Sequence, residues 1–233
     1  MNAAATSREA AAPNPRIALI HATPLAIEPI VEAFRLGWPE AGLFNLLDDS
    51  LPKDRTRRPG GAAPLSERFV ALSRYAQAAG AAAILYTCSA FGPEIDAARR
   101  AVALPTLKPN EAMFTDALDA GTRIGLLATF EPSIAPMRDE LVALAAARGV
   151  PLDLGVAFVP GAYAALQCGD GDGHDAAIAA AATRLADREV VLLAQFSMAR
   201  AQRRVADAVA ATVLTSPASA VRALRAALQP AER

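Results

Sequence analysis

Cysteine and histidine are scarce in this chain, with two of each among 233 residues. Two cysteines and two histidines cannot assemble a four-ligand zinc site without borrowing carboxylates, so no metal is expected. A charge bias is also missing: 23 basic residues face 24 acidic ones. Such a balance creates no global field to gather nucleic acid or an anionic membrane, and neither is an expected partner. Long hydrophobic runs are lacking too. The apolar stretches Ala76 to Tyr86 and Val190 to Ala194 fall short of the ~20 residues that a spanning helix needs. No G-x-G-x-x-G or Walker sequence occurs, which removes the usual sequence support for a nucleotide cofactor. All basic residues but Lys53 and Lys108 are arginine. Only Lys108, beside Pro109, stands where a Schiff-base lysine could, and nothing else supports one; the expectation is a protein without a cofactor.

What the chain does have is alanine, 58 residues by count, which accounts for much of the 53% hydrophobic fraction. Alanine buries little surface but favours helix, so the composition describes a helix-rich globular protein. The segment Met1 to Pro15 carries Arg8 and Glu9 where a signal peptide would need an unbroken apolar core. Residues 1–15 read as a disordered tail on a cytoplasmic protein, whose cysteines stay reduced.

From Arg16 onward, short apolar runs alternate with longer helical patterns, the arrangement that builds parallel sheets from βαβ units. Strands are expected at Ile17–His21, Leu43–Leu47, Ala83–Thr87, Ile124–Thr129, Leu154–Val159, Val190–Ala194 and Thr212–Thr215. Helical spacing covers Ala26–Gly37, Leu65–Ala79, Pro93–Val102 and Asn110–Ala120 in the first part of the chain. It returns at Pro132–Arg148, Asp175–Asp187, Ser197–Ala211 and Pro217–Leu228. The strands at Ile17 and Ile124 each open a similar segment of strand, small-residue turn and amphipathic helix. The expected fold class is therefore α/β, with two pseudo-symmetric Rossmann-like or flavodoxin-like halves, each a parallel sheet flanked by helices. The first half is assigned to 16–108 plus 214–233, completed by the C-terminal helix, and the second to 109–213.

Four strands end in small or hydroxyl residues: at Thr23, at Thr87-Cys-Ser-Ala90, at Thr129, and at Gln195-Phe-Ser197. Carboxyl edges of parallel strands bind ligands, because free N–H groups and helix dipoles there favour an anion. Cys88 is the sharpest candidate. It precedes a turn into a helix with Pro93 near its start, where the dipole would lower the thiol pKa and make it a nucleophile or base. On that basis Cys88 should alkylate faster than Cys168. The competing reading, a small buried hydrophobe, stands beside it. Cys168 reads as a helix end before a surface loop, and Asp170 to Asp175 as a turn without EF-hand ligand spacing. His174 reads as solvated or capping, and His21 either approaches a substrate or packs in the core. Ser197 lacks the two glycines of a nucleophile elbow and is better explained as a helix N-cap.

The runs Thr87-Cys-Ser-Ala90, Gly125-Leu-Leu-Ala-Thr129 and Val191-Leu-Leu-Ala-Gln-Phe-Ser-Met198 resemble the aspartate/glutamate/hydantoin racemase superfamily, from Arg16 to Leu228. The resemblance implies two halves enclosing a carboxylate, with one cysteine from each half facing the same carbon. It places Cys88 in the first cysteine position, Ser89 and Ala90 as amide donors to the carboxylate, and Thr129 as a donor from the second half. The second cysteine position is Gln195, which has no usable proton-transfer pKa. What the resemblance implies is a cofactor-independent racemase or isomerase acting on a small carboxylate such as an amino acid, hydantoin or dicarboxylate. Cys88 is then catalytic, with Thr23, Ser89, Ala90, Thr129, Gln195 and Ser197 binding substrate. Two alternatives follow from the missing thiol: a one-cysteine decarboxylase similar to the arylmalonate decarboxylases, or a carboxylate-binding protein without catalysis. A homo-oligomer stays open.

Overall fold

The structure, a computed structural model, describes residues 14–57 and 63–228. Residues 1–13 of the expected tail lie outside the described residues. Two four-stranded parallel sheets form the molecule. The first runs β2 (Gly42–Leu47), β1 (Arg16–His21), β3 (Ala83–Tyr86), β4 (Thr106–Leu107); the second runs β6 (Asp153–Phe158), β5 (Arg123–Ala128), β7 (Val190–Leu193), β8 (Thr212–Thr215). The α/β class and its two sheets agree with the sequence pattern.

The covering helices follow from which strand face is apolar. In the first sheet Ile17, Leu19, Ala83 and Leu85 pack on α1 (Ile27–Gly37) and the C-terminal helix α10 (Ser216–Leu228), through Phe34 and Leu224. Ala18, Ile20, Ile84 and Tyr86 face α3 (Leu65–Ala78) and α4 (Gly92–Ala101), through Phe69 and Ile95. The second sheet repeats the plan. Ile124, Leu126, Val190 and Leu192 meet α5 (Glu111–Ala120) and α6 (Ile134–Arg148) at Phe114 and Leu141. Leu127, Val191 and Leu193 meet α8 (Gly171–Ala182) and α9 (Gln202–Ala206) at Ile178 and Val205. Fully burying such a Leu, Ile or Phe side chain stabilises the fold by roughly 1.5–3 kcal/mol.

The central strands and the helix after the first of them are related by an offset of 107 residues, which carries Arg16 onto Arg123, Ile27 onto Ile134 and Ala83 onto Val190. The hydrogen-bond register agrees, Ile17 opposite Ala83 and Ile124 opposite Val190. Each central strand is followed by a short 3-10 turn containing proline, Pro24–Ala26 and Glu131–Ser133. After β8 the chain crosses over: α10 buries Ala220, Val221 and Leu224 against the first sheet.

Several elements differ from the sequence expectation. Strand β4 has only two residues after Pro105, too few to show a period. Helix α2 (Leu51–Arg57) buries Leu51 alone and is otherwise polar, so it carries no apolar stripe. The helix whose end was placed at Cys168 is α7 (Ala162–Gln167), capped there by exposed Cys168. The expected single helix over Ser197–Ala211 is a 3-10 stretch, Phe196–Ala201, followed by the short α9. The expected turn over Asp170 to Asp175 is instead the first turn of α8. Asp170 caps it by accepting from the Gly173 N–H at 2.8 Å, and a Cβ on residue 173 would collide with that carboxylate. Glycine there serves the cap rather than a loop. His174 is accordingly neither solvated nor capping: it is fully buried on α8, with Nδ1 2.7 Å from Asp175 Oδ1.

Asp170→Ala is expected to lower stability by about 0.5–2 kcal/mol through loss of the cap, read as a lower urea midpoint at unchanged slope. An unchanged midpoint would show that α8 starts without its cap.

Candidate functional site

The carboxyl ends of both sheets open on one cavity of ≈ 220 Å³. That is below the ~300–1,000 Å³ of pockets for drug-sized ligands, and it suits a small molecule. The first half supplies Thr23, Arg55, Thr87, Cys88, Ser89 and Ala90. The second supplies Phe130, Ser133, Tyr163, Gln195, Phe196 and Ser197. A larger groove of ≈ 760 Å³ runs between α1 and α10, but none of the sequence-predicted site residues lines it.

Cys88 stands two residues beyond Tyr86, where β3 ends, and just ahead of α4. It is half-buried and packs against the cluster of Phe69, Tyr86 and Phe91. Burial pushes its thiol pKa up, while the Ala90 N–H and the Arg55 guanidinium partly offset this by favouring the thiolate. The lowered pKa expected from the helix entrance is thus corrected. Desolvation of the sulfur is the largest influence at this turn.

Arg55 was not singled out from the sequence because α2 was not. Its guanidinium donates to the Ala90 carbonyl, lies 5.1 Å from the Phe91 ring centroid and 3.7 Å from Glu94 Oε2. Those contacts hold a cation at the cavity wall beside the Cys88 turn. The signal available in sequence was position, since α2 leaves the carboxyl edge of β2 as the other turns leave theirs. Tyr163, at the start of α7, and Phe130 were likewise unforeseen; their rings meet tilted at 48°, with centroids 5.7 Å apart.

Gln195 stands two residues beyond Leu193, the register equivalent of Tyr86, so it is the pseudo-symmetric counterpart of Cys88. Its Oε1 accepts from the Thr129 N–H at 2.9 Å and from the Thr129 hydroxyl at 3.4 Å. Its Nε2 donates to Ser133 Oγ at 2.8 Å, and that hydroxyl donates to the Phe130 carbonyl at 2.7 Å. Both amide lone pairs are taken, so Gln195 has one N–H left for a ligand. Thr129 is buried behind Gln195 and is not part of the cavity wall. Ser197 does line the cavity, but inside a 3-10 turn whose N-cap is Gln195, so the expected N-cap role is not found. Thr23 caps the turn after β1 by accepting from the Leu25 N–H at 3.4 Å.

Neither histidine lines the cavity. His21 is fully buried, with Nε2 2.9 Å from Asn45 Oδ1 and Nδ1 2.8 Å from Thr87 Oγ1. Because Asn45 Oδ1 can only accept, Nε2 carries the proton and Nδ1 accepts from the Thr87 hydroxyl. Burial lowers the His21 pKa, and the Asn45 hydrogen bond opposes this. The ring is neutral and positions Thr87 at the wall. Lys108 is paired with Asp96 at 2.9 Å and with Glu140 at 4.0 Å, outside the cavity wall. Among the described residues no group of three or more His, Cys, Asp or Glu could hold a metal ion, and no helix is long and apolar enough to cross a membrane.

Two outcomes follow. Iodoacetamide at pH 7 is expected to modify exposed Cys168 before Cys88, with labelling of Cys88 rising through a midpoint above that of an ordinary cysteine. Peptide mass mapping reads both sites, and faster labelling of Cys88 at pH 7 would contradict the raised pKa. The second concerns His21, whose folded pKa lies below its unfolded value, so its contribution is fully present above ~6.5 and is lost as pH falls through the folded value. Urea midpoints between pH 7 and pH 5 should therefore decline for the native chain and lose that part of the slope in His21→Gln. Parallel pH profiles for the two proteins would refute it.

A model of the Asp/Glu/hydantoin racemase family matches residues 28–224. No curated protein sequence matches the chain significantly. Among solved structures, a glutamate racemase from Bacillus anthracis superposes with a TM-score of 0.68 at 14% identity, covering 94% of this chain and 83% of the other. The allantoin racemase of Klebsiella pneumoniae gives 0.69 at 16% identity, covering 91% and 87%. A point mutant of arylmalonate decarboxylase gives 0.62 at 20% identity, covering 94% and 95%. These likenesses describe a shared fold. With the family model spanning most of the sequence, and two pseudo-symmetric sheets that converge on Cys88 and Gln195, the chain belongs to the Asp/Glu/hydantoin racemase family.

Proposed function

We propose that the cleft catalyses cofactor-independent proton transfer at the carbon next to a carboxylate, on one face only, with Cys88 as the acid and base. The observation that carries this reading is the pairing of Cys88 with Gln195 at equivalent positions of one cavity. A carboxylate fits against Arg55 and the amides of the Ser89–Ala90 turn, and Gln195 offers its remaining N–H from the other side. Thiolate Sγ takes the proton from the α-carbon, the electron pair passes into an enediolate, and the fixed N–H donors and Arg55 hold its negative charge. The thiol then returns a proton to the same face. The neutral amide of Gln195 does not give up a proton near neutral pH, so none reaches the opposite face and configuration is retained.

One observation favours a second reading. Burial keeps Cys88 protonated near neutral pH, which suits a group that acts only as an acid. A malonate-type substrate would lose CO₂ with its bonding electrons left as an enediolate. The Cys88 thiol would protonate that carbon, and water would restore the thiol. Both reactions use the same residues.

Proton NMR in D₂O over a panel of small mono- and dicarboxylates tests the proposal. Deuterium should enter one α-position with retained configuration, or CO₂ should be lost to give a single enantiomer. Cys88→Ser should lower either rate by ~10²–10⁴-fold with little change in thermal stability. Rapid racemisation with equal exchange from both enantiomers would refute the one-sided mechanism, and loss of folding in Cys88→Ser would favour a packing role.

A further inference from the structure

Arg55 reaches the cleft from α2, a helix with little of its own to hold it in place. Its seven residues are too few for a stable helix in water, and only Leu51, its first residue, is buried. The contacts of the Arg55 side chain are divided. It donates to the Ala90 carbonyl, two residues from Cys88, and it also lies 3.7 Å from the Glu94 carboxylate. Where the guanidinium stands therefore depends on where α2 stands.

Arg68, on α3, supplies the clasp. Its Nη1 donates to Asp54 Oδ2 of α2 at 2.5 Å, and its Nη2 donates to Asp48 Oδ2 and, at 2.6 Å, to Ser50 Oγ. One planar group thus holds oxygens at three points between the end of β2 and the middle of α2. The near end of that segment is fixed in turn. The Asp48 N–H donates to the His21 carbonyl at 3.0 Å, and Asp48 Oδ1 accepts from the Ser50 hydroxyl at 2.6 Å and the Ser50 N–H at 3.2 Å. The Arg68, Asp48 and Asp54 side chains are 22%, 25% and 20% exposed, so water screens this clasp less than it screens a surface ion pair. Burial works against the Asp48 carboxylate, but the hydrogen bonds from Ser50 and Arg68 hold its pKa below the usual range and keep it ionised at neutral pH.

We infer that Arg68 is a positioning residue for the cleft: it lines no part of the cavity, yet its grip on Asp48, Ser50 and Asp54 sets α2 so that Arg55 stands at the wall beside the Cys88 turn. The inference rests on the proposed function only for the use made of Arg55, since the placement of that cation can be measured without a substrate.

The measurement is the rate of Cys88 alkylation by iodoacetate divided by its rate with iodoacetamide, on the whole chain at pH 8, with exposed Cys168 as the internal reference. The two reagents attack the same thiolate and differ in charge far more than in size, so the ratio follows the cation beside the sulfur rather than the thiol pKa or access. Arg55→Met should lower the ratio about 2–5-fold, the attraction of two unit charges ~4 Å apart in water. Arg68→Met should lower it by a similar factor, and the double variant no further than Arg55→Met alone, because the two residues act as one unit.

Two variants separate position from field. Arg68→Lys keeps the charge without the planar fork and should also lower the ratio. Asp54→Ala removes an anion, so its field alone would raise the ratio, whereas loss of the clasp lowers it. Alanine favours helix, so α2 stays formed and the test holds even if Arg68→Met folds poorly. An unchanged or raised ratio in Asp54→Ala, a native ratio in Arg68→Lys or in Arg55→Met, or additive losses in the double variant would each overturn the inference. Deuterium exchange judges the catalytic proposal separately: a clasp-dependent ratio without Cys88-dependent exchange would refute that mechanism and leave the role of Arg68 intact.

Discussion

The parallel hydrogen-bond register between each central strand and its neighbour decides where the chemistry can occur. In the first sheet Ile20 lies opposite Tyr86, and in the second Leu127 lies opposite Leu193. These pairings bring the turns that carry Cys88 and Gln195 out at equivalent places on the two carboxyl edges. A slip of one residue in either pair would turn every side chain to the opposite face of the sheet, against the wrong helices, and rotate the functional side chain out of the cleft. The two faces of β1, β3, β5 and β7 each pack on their own set of helices, so a slip would break both layers of packing at once.

The two halves are joined by side chains that also shape the cleft. Phe196, directly after Gln195, is buried in the cluster formed by the first sheet with α1 and α10. Ser216, at the start of α10, donates to Asn110 Oδ1 at 2.6 Å beside α5. Arg222 of α10 pairs with Asp116 of α5 at 2.5 Å. The crossing helix therefore ties the second sheet to the first behind the cavity.

The cleft is chemically one-sided because the symmetry of the backbone is not matched by its side chains. Cys88 keeps a titratable proton whose affinity is raised by burial. Its counterpart Gln195 is an amide locked by Thr129 and Ser133, so neither its protons nor its orientation is free to change. Behind the first turn, neutral His21 holds Thr87 in the same manner. Buried hydrogen-bond networks of this kind give rigidity when every member is satisfied. They suit the proposed role of the site, which is to hold an enediolate without reorganising.

The sequence by itself determined the α/β class, seven of the eight strands and the carboxyl-edge turns carrying Cys88 and Gln195, because these rest on local periodicity and on strand ends. It also showed that the counterpart of Cys88 in the second half is a glutamine. Only the tertiary structure decided the rest. Arg55 and Tyr163 reach the cleft from α2 and α7, helices too short to carry a periodic stripe. Thr129 proved to support Gln195 rather than line the wall, a matter of which way a side chain turns once Gln195 is folded over it. The direction of the Cys88 pKa depended on desolvation by Phe69, Tyr86 and Phe91, residues brought together by packing. A helix entrance is a local feature that sequence can reveal, whereas burial sums contacts from distant segments, and at Cys88 the burial is the larger effect.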